Sequence, residues 1–180
     1  MVEAMYRPSG FRAGVVLWGL LSLLSCFVED TQAQSDAKPD RLDQLKPRGY
    51  VNDFAGMIDS QVQSQLDVIC KDLHQRRRTQ MAIVTIVSLD GSPIKEFATQ
   101  LASRWRIGYK DNQRGVLVLL SRNDKQYRIA IGHGLETVLT EDEADRLGRQ
   151  MIPMLRTGDY GTALLHVAES IHDEIVQNVE

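Results

Sequence analysis

Residues 80–87 read Gln-Met-Ala-Ile-Val-Thr-Ile-Val, and residues 115–121 read Gly-Val-Leu-Val-Leu-Leu-Ser. Almost every position in each run is apolar, so neither has a face to turn toward water. Thr79 and Asp90-Gly91 bound the first run, and Gly115 opens the second. Apolar runs of this length read as strands covered on both faces. Arg122-Asn123-Asp124-Lys125 then makes a turn into residues 126–131, where Tyr127, Ile129 and Ile131 alternate with Gln126, Arg128 and Ala130. Alternation marks a half-exposed strand, and the short turn makes the pair an antiparallel hairpin.

Helical patterns fill the gaps between these strands. Asp59 or Ser60 caps a stripe of Val62, Leu66, Ile69 and Leu73. Pro93 opens a second stripe of Ile94, Phe97, Ala98, Leu101, Ala102 and Trp105, stopped near Gly108. Thr140 and Glu143 have the spacing of a capping box ahead of Ala144, Leu147 and Met151, with Pro153 expected to break or kink that helix. After Gly158, Leu164, Ala168, Ile171 and Ile175 form the last stripe. Helices alternating with buried strands predict an α/β fold, a three-layer α/β/α sandwich on a central mixed sheet that includes one antiparallel hairpin. That domain is expected over 49–180. Residues 34–48 are polar, carry Pro39 and Pro47, and read as a linker.

The N-terminus reads as an address. Arg7 and Arg12 precede an uncharged run of 16 residues, Ala13 to Val28. A spanning helix needs about 20 apolar residues, so the run has the length of a signal-peptide core. Thr31-Gln32-Ala33 offers small residues at the two positions a signal peptidase reads, making 1–33 a signal peptide and Gln34 the new N-terminus. Leu23-Leu24-Ser25-Cys26 alternatively resembles a lipobox, with lipid anchored through Cys26. Either way the chain is expected to be exported, to the periplasm or outside the cell. With cleavage after Ala33, Cys70 would be the remaining cysteine, and its reading is a buried small hydrophobe.

The whole chain has 180 residues, 21 Lys+Arg against 24 Asp+Glu, a net charge of -3. No broad basic field is available to hold a polyanion, so no nucleic-acid partner is expected. No Gly-x-Ser-x-Gly, Walker loop, Cys-x-x-Cys or dinucleotide fingerprint is present, so no organic cofactor is expected either.

Four further pieces of sequence belong together. They are Tyr50-Val51-Asn52-Asp53-Phe54-Ala55-Gly56-Met57-Ile58; Trp105-Arg106-Ile107-Gly108 leading to Gly115-Val116-Leu117-Val118-Leu119-Leu120; Arg128-Ile129-Ala130-Ile131-Gly132-His133-Gly134-Leu135-Glu136 with Leu139-Thr140; and Pro153-Met154-Leu155-Arg156-Thr157-Gly158-Asp159-Tyr160. In order and spacing the stretch 49–176 resembles the TPM domain family, described as phosphatase-like. The resemblance implies an extracytoplasmic α/β/α sandwich. Some members look like acid phosphatases or metal binders, and others like accessory or repair factors for membrane protein complexes. Many relatives add a membrane helix and a Gly-rich tail, which this sequence does not contain. The family commonly has Asp-Asn-Gly immediately before the strand at Gly115; here Gln113 and Arg114 precede that glycine, and Asp111-Asn112 lies two places earlier.

Loops at strand ends are where α/β sheets build sites. Asp53, Asp111 and Glu136 are the candidate ligands for Ca²⁺ or Mg²⁺, which would polarise the phosphoryl oxygen of a phosphate ester. Asp53 reads equally well as a turn or cap ahead of the first helix. His133 lies between two glycines, which would allow left-handed backbone angles and bring an imidazole to a loop surface as general acid; shaping a turn is the alternative. Two functions follow: a metal-dependent phosphomonoester hydrolase of low or residual activity, or a non-catalytic accessory factor for a membrane protein complex.

Overall fold

The computed structural model describes residues 41–179; the leader, the candidate lipid anchor at Cys26 and the first part of the linker lie outside them. Strands β1 (Val51–Asp53), β2 (Gln80–Ile86), β3 (Gly115–Ser121) and β4 (Gln126–Ile131) form a sheet in that order. β1, β2 and β3 are parallel, and β4 returns antiparallel beside β3. The alternation of side chains sorts the core into two faces. Met81, Ile83, Val116, Val118, Leu120 and Ile129 meet helices α2 (Ser60–Arg77), α4 (Glu141–Thr157) and α5 (Tyr160–Asn178). Ala82, Val84, Ile86, Leu117 and Leu119 meet α3 (Ile94–Trp105) on the other face. The expected three layers and the hairpin are present.

Two successive crossovers advance in one direction across the sheet, from β1 to β2 to β3, yet α2 and α3 lie on opposite faces. One of the pair therefore has the uncommon left hand. The connections leaving β1 and β2 diverge at their C-terminal ends, the geometry that opens a crevice in such sheets.

Three local expectations change. The one-turn helix α1 (Arg41–Gln44) lies inside the segment read as linker, and Leu42 and Leu45 are buried with Phe97 and Leu101. Trp105 donates its indole N–H to the Leu45 carbonyl at 3.1 Å, and Arg104 pairs with Asp43. Two leucines three apart are too few to register as a periodicity, so the packing of Leu42 and Leu45 on α3 left no pattern in the sequence. Helix α4 continues through Pro153, because Met154 and Leu155 extend its apolar stripe and offset the roughly 3 kcal/mol such a proline costs. Its capping box is half formed: the Thr140 hydroxyl accepts from Glu143 N–H at 3.2 Å, while the Glu143 carboxylate turns to Arg146.

The arginine run at the end of α2 is consumed within the domain. Arg76 pairs with Asp72 at 2.7 Å, Arg77 donates to the Val176 carbonyl at 2.7 Å, and Arg78 pairs with Asp111 at 2.7 Å. Across the same α2–α5 seam His172 lies 2.9 Å from Asp72 and 3.1 Å from Asp173. Partial burial alone lowers the imidazole pKa, but the hydrogen bonds and charges of Asp72 and Asp173 outweigh it and leave it above 6.5. The Asp72 carboxyl is held below its ordinary value, chiefly by His172. His172 thus contributes stability that is complete below pH 6.5 and lost as pH rises through its raised pKa. Melting curves of His172→Asn should fall about 2–4 °C below the parent at pH 6 and converge with it by pH 9. An offset independent of pH would contradict the charged bridge.

Candidate functional site

Asp53 ends β1 beside Thr85 of β2, at the C-terminal edge of the parallel strands. Both its carboxylate oxygens accept from Met57 N–H (3.0 and 2.9 Å), one accepts from Ile58 N–H at 2.9 Å, and the other receives the Thr85 hydroxyl. The Thr85 hydroxyl oxygen in turn accepts from Ala55 N–H at 3.2 Å, and Phe54 N–H reaches the Thr85 carbonyl at 3.0 Å. A carboxylate offers about four acceptor positions, and three donors occupy most of them, the Met57 N–H being shared between both oxygens. Asp53 therefore staples the turn of residues 54–58 onto β2. Its neighbour Asn52, 2% exposed, does the same on the incoming side, accepting from Arg48 N–H and donating to Gly49.

Asp111, His133 and Glu136 lie at the opposite edge. Gln80 and Ile131 pair with Gly115 and Val116 at the start of β3, and the loops carrying the three residues flank that end. Five residues of extended strand separate Thr85 from Gln80, about 16 Å. One ion cannot bridge Asp53 to Asp111 or Glu136, so the proposed triad of ligands does not exist as a unit. Within the remaining group Asp111 is tied to Arg78, whose guanidinium also lies over Tyr109. Arg114 N–H goes to the Asn112 side chain, and no carboxylate takes the family's usual place there. His133 is 83% exposed and 4.0 Å from Glu136. Among the described residues no three carboxylate, imidazole or thiol groups converge to hold a metal ion.

The glycines around His133 have a different purpose from the one expected. Gly132 has φ -77°, and Gly134 is not among the residues with positive φ. Their role is close approach. A Cβ on Gly132 would stand 2.3 Å from the Gln113 carbonyl oxygen, and one on Gly134 would stand 1.8 Å from that of Asn112. The two loops interlock backbone to backbone.

A groove able to take a ligand lies elsewhere, between the β3–β4 hairpin and the α4–α5 corner. It encloses about 680 Å³. Leu120, Tyr127, Ile152, Leu155 and Tyr160 line it together with Ser121 and Thr157, and Arg122, Lys125 and Arg156 supply its charge. The hairpin tip is fixed by Asp124, which accepts from Leu89 N–H at 2.7 Å and from the Ser121 hydroxyl. Arg122 N–H and Asn123 N–H continue the pairing to Ile86 and Val87. Arg122 also donates to the Ala55 carbonyl at 2.9 Å, so the Asp53 turn and the groove share a wall.

These features coincide with a family likeness. The model of the TPM domain matches residues 51–174, from β1 through most of α5. The chain belongs to the TPM domain family. The structure of the N-terminal domain of a P. gingivalis protein is similar at 24% identity, covering 72% of this chain and 83% of that one with a TM-score of 0.68. An N-terminal domain from Corynebacterium glutamicum matches at 20% identity, 71% and 80% coverage and TM-score 0.57. A protein from the psychrophilic bacterium Bizionia argentinensis matches at 13% identity, 68% and 83% coverage and TM-score 0.60. At such identities these structures speak for the fold. No curated protein matches.

In this TPM domain the electrostatics of the groove favour an anion. Neither Lys125 nor Arg156 has a carboxylate partner among the described residues, and Arg122 is held by a carbonyl. Burial raises the Tyr127 hydroxyl pKa above 10.0, which keeps it a proton donor at neutral pH. The Asp124 carboxyl is held below its ordinary value by the Ser121 hydroxyl and Leu89 N–H, so it is a weak base for activating that hydroxyl. Burial pushes the Cys70 thiol up to about 12, which leaves it protonated and inert. In the sequence, residues 122–125 read as a turn and Arg156 as part of a motif. The signal available was a cation on each of two tips that a right-facing hairpin and a helix corner bring together.

Proposed function

We propose that this TPM domain is an exported module that binds phosphate esters at the C-terminal edge of its sheet and holds them without efficient turnover. The observation that carries the reading is the groove edged by Arg122, Lys125 and Arg156, where no carboxylate among the described residues pairs with Lys125 or Arg156. Charge-assisted hydrogen bonds from guanidinium and ammonium groups are the strong contacts for a phosphoryl group, about 1.5–3 kcal/mol each. Hydrolysis needs more: an activated nucleophile or a metal-bound water. Asp53, Asp111 and Glu136 do not fit one cation, and His133 stands at the other edge of the sheet from the groove, so no catalytic step is assigned to them. The alternative, a factor that docks on a membrane protein complex, gains nothing from an apolar face. Val68 is the one exposed large hydrophobic residue among those described.

Calorimetry on protein recovered from the exported fraction, beginning at Gln34 or lipidated at Cys26, tests the proposal. Phenyl phosphate should bind, Arg156→Gln should weaken it about tenfold, and p-nitrophenyl phosphate with added Ca²⁺ or Mg²⁺ should be turned over no faster than by the Arg156→Gln variant. Equal affinity in the variant, or an unprocessed Met1 in the cytosol, would overturn the respective halves of the reading.

A further inference from the structure

Building on that phosphate-binding reading, we infer that the groove selects amphiphilic phosphate monoesters, those carrying an alkyl or aryl tail, over inorganic phosphate. A bare phosphate needs only the charged rim. The enclosed volume of about 680 Å³ is that of a site for an organic ligand of moderate size. Its lining combines two chemistries. Arg122 and Lys125 on the hairpin and Arg156 on α4 supply charge, while Leu120, Ile152 and Leu155 with the rings of Tyr127 and Tyr160 supply an apolar side from the same hairpin and helix corner.

The apolar side is built into the fold. Leu120 is 2% exposed and faces the core, and Tyr127 is its direct cross-strand partner. Gly148 of α4 makes room for the Tyr127 ring: a Cβ there would stand 2.4 Å from Cε2. The ring is thereby seated against the helix at the base of the groove. Ile152 and Leu155 are only partly buried, so apolar surface remains for a tail to cover. A ligand that places its phosphoryl group among the three cations extends its ester substituent over this surface.

The same chemistry occurs in a free alkyl or aryl phosphate and in the headgroup of phosphatidic acid, and the experiment separates the two. The full chain is titrated calorimetrically with inorganic, ethyl, hexyl and phenyl phosphate, and sedimented with phosphatidylcholine vesicles with and without phosphatidic acid. Each methylene that enters the groove should raise affinity about two- to fourfold, so hexyl phosphate should bind at least tenfold tighter than ethyl phosphate. Leu155→Asn should remove that advantage. Vesicle binding that depends on phosphatidic acid and is lost in Leu155→Asn supports the inference with a lipid as the source. Vesicle binding indifferent to Leu155→Asn overturns it in favour of surface charge. Equal affinity across the soluble series overturns the selectivity and leaves phosphate binding standing, whereas no binding of any ester removes both. The ligand series on the unaltered chain decides the matter without relying on the variant.

Discussion

Gly134→Ala is expected to lower the melting temperature by about 6–12 °C, the effect of some 3 kcal/mol in a domain of this size. The added methyl group would stand 1.8 Å from the Asn112 carbonyl oxygen and 3.0 Å from the Asn112 and Gln113 carbonyl carbons. Those are backbone atoms, so no side-chain rotation relieves the clash. The loop that would have to move is itself anchored: the Asn112 side chain bonds Arg78 O and Arg114 N–H, and Gln113 N–H bonds Tyr109 O. A comparison sharpens the test. Gly56 has φ 64° and nothing within 4 Å of a new Cβ, so alanine there costs only the left-handed conformation, about 1–2 kcal/mol. Thermal melts followed by circular dichroism should order the chains as parent, Gly56→Ala, Gly134→Ala. If Gly134→Ala melts with the parent, the two loops do not interlock as described.

That result concerns the part of the chain whose function sequence inspection most readily overstated. A histidine between two glycines suggests a mobile, reactive loop, whereas here the glycines press one loop onto another and leave the imidazole at the surface. The sheet itself was legible, because β2 and β3 are covered on both faces and burial on both faces writes an unbroken apolar run. β1 was not, since three residues, one of them the buried Asn52, carry no alternation. Helix α1 escaped for the same reason of length. The separation of Asp53 from Asp111 and Glu136 could have been reasoned from topology alone. A residue that ends a parallel strand and residues that precede the next parallel strand, or follow its antiparallel partner, necessarily occupy opposite edges. The groove could not have been reasoned so. Arg122, Lys125 and Arg156 are a hairpin tip and a helix end, and only the packing of β4 against α4 decides that these charges share one concavity.

Asp53→Ala is expected to cost about 3 kcal/mol, comparable to the glycine variant, and to do so equally with and without divalent cations. Removing the carboxylate leaves Met57 N–H and Ile58 N–H without acceptors and frees the buried Thr85 hydroxyl, so the turn of residues 54–58 loses its attachment to β2. Asp53→Asn keeps an acceptor oxygen and the shape, and should fall between. A metal site predicts a different pattern. There, Ca²⁺ or Mg²⁺ would raise the melting temperature of the parent in proportion to ligand concentration, and both variants would lose that increment. Calorimetric titration of the parent with Ca²⁺ and Mg²⁺, beside melts of all three chains, separates the two accounts. Destabilisation without cation dependence assigns Asp53 to the scaffold that carries the Ala55 carbonyl and, through it, holds Arg122 at the rim of the anion groove. In that case Asp53→Ala should also weaken phenyl phosphate binding severalfold, an indirect loss that added Ca²⁺ fails to restore. Restoration by Ca²⁺ would return Asp53 to the role of a ligand and detach it from the groove.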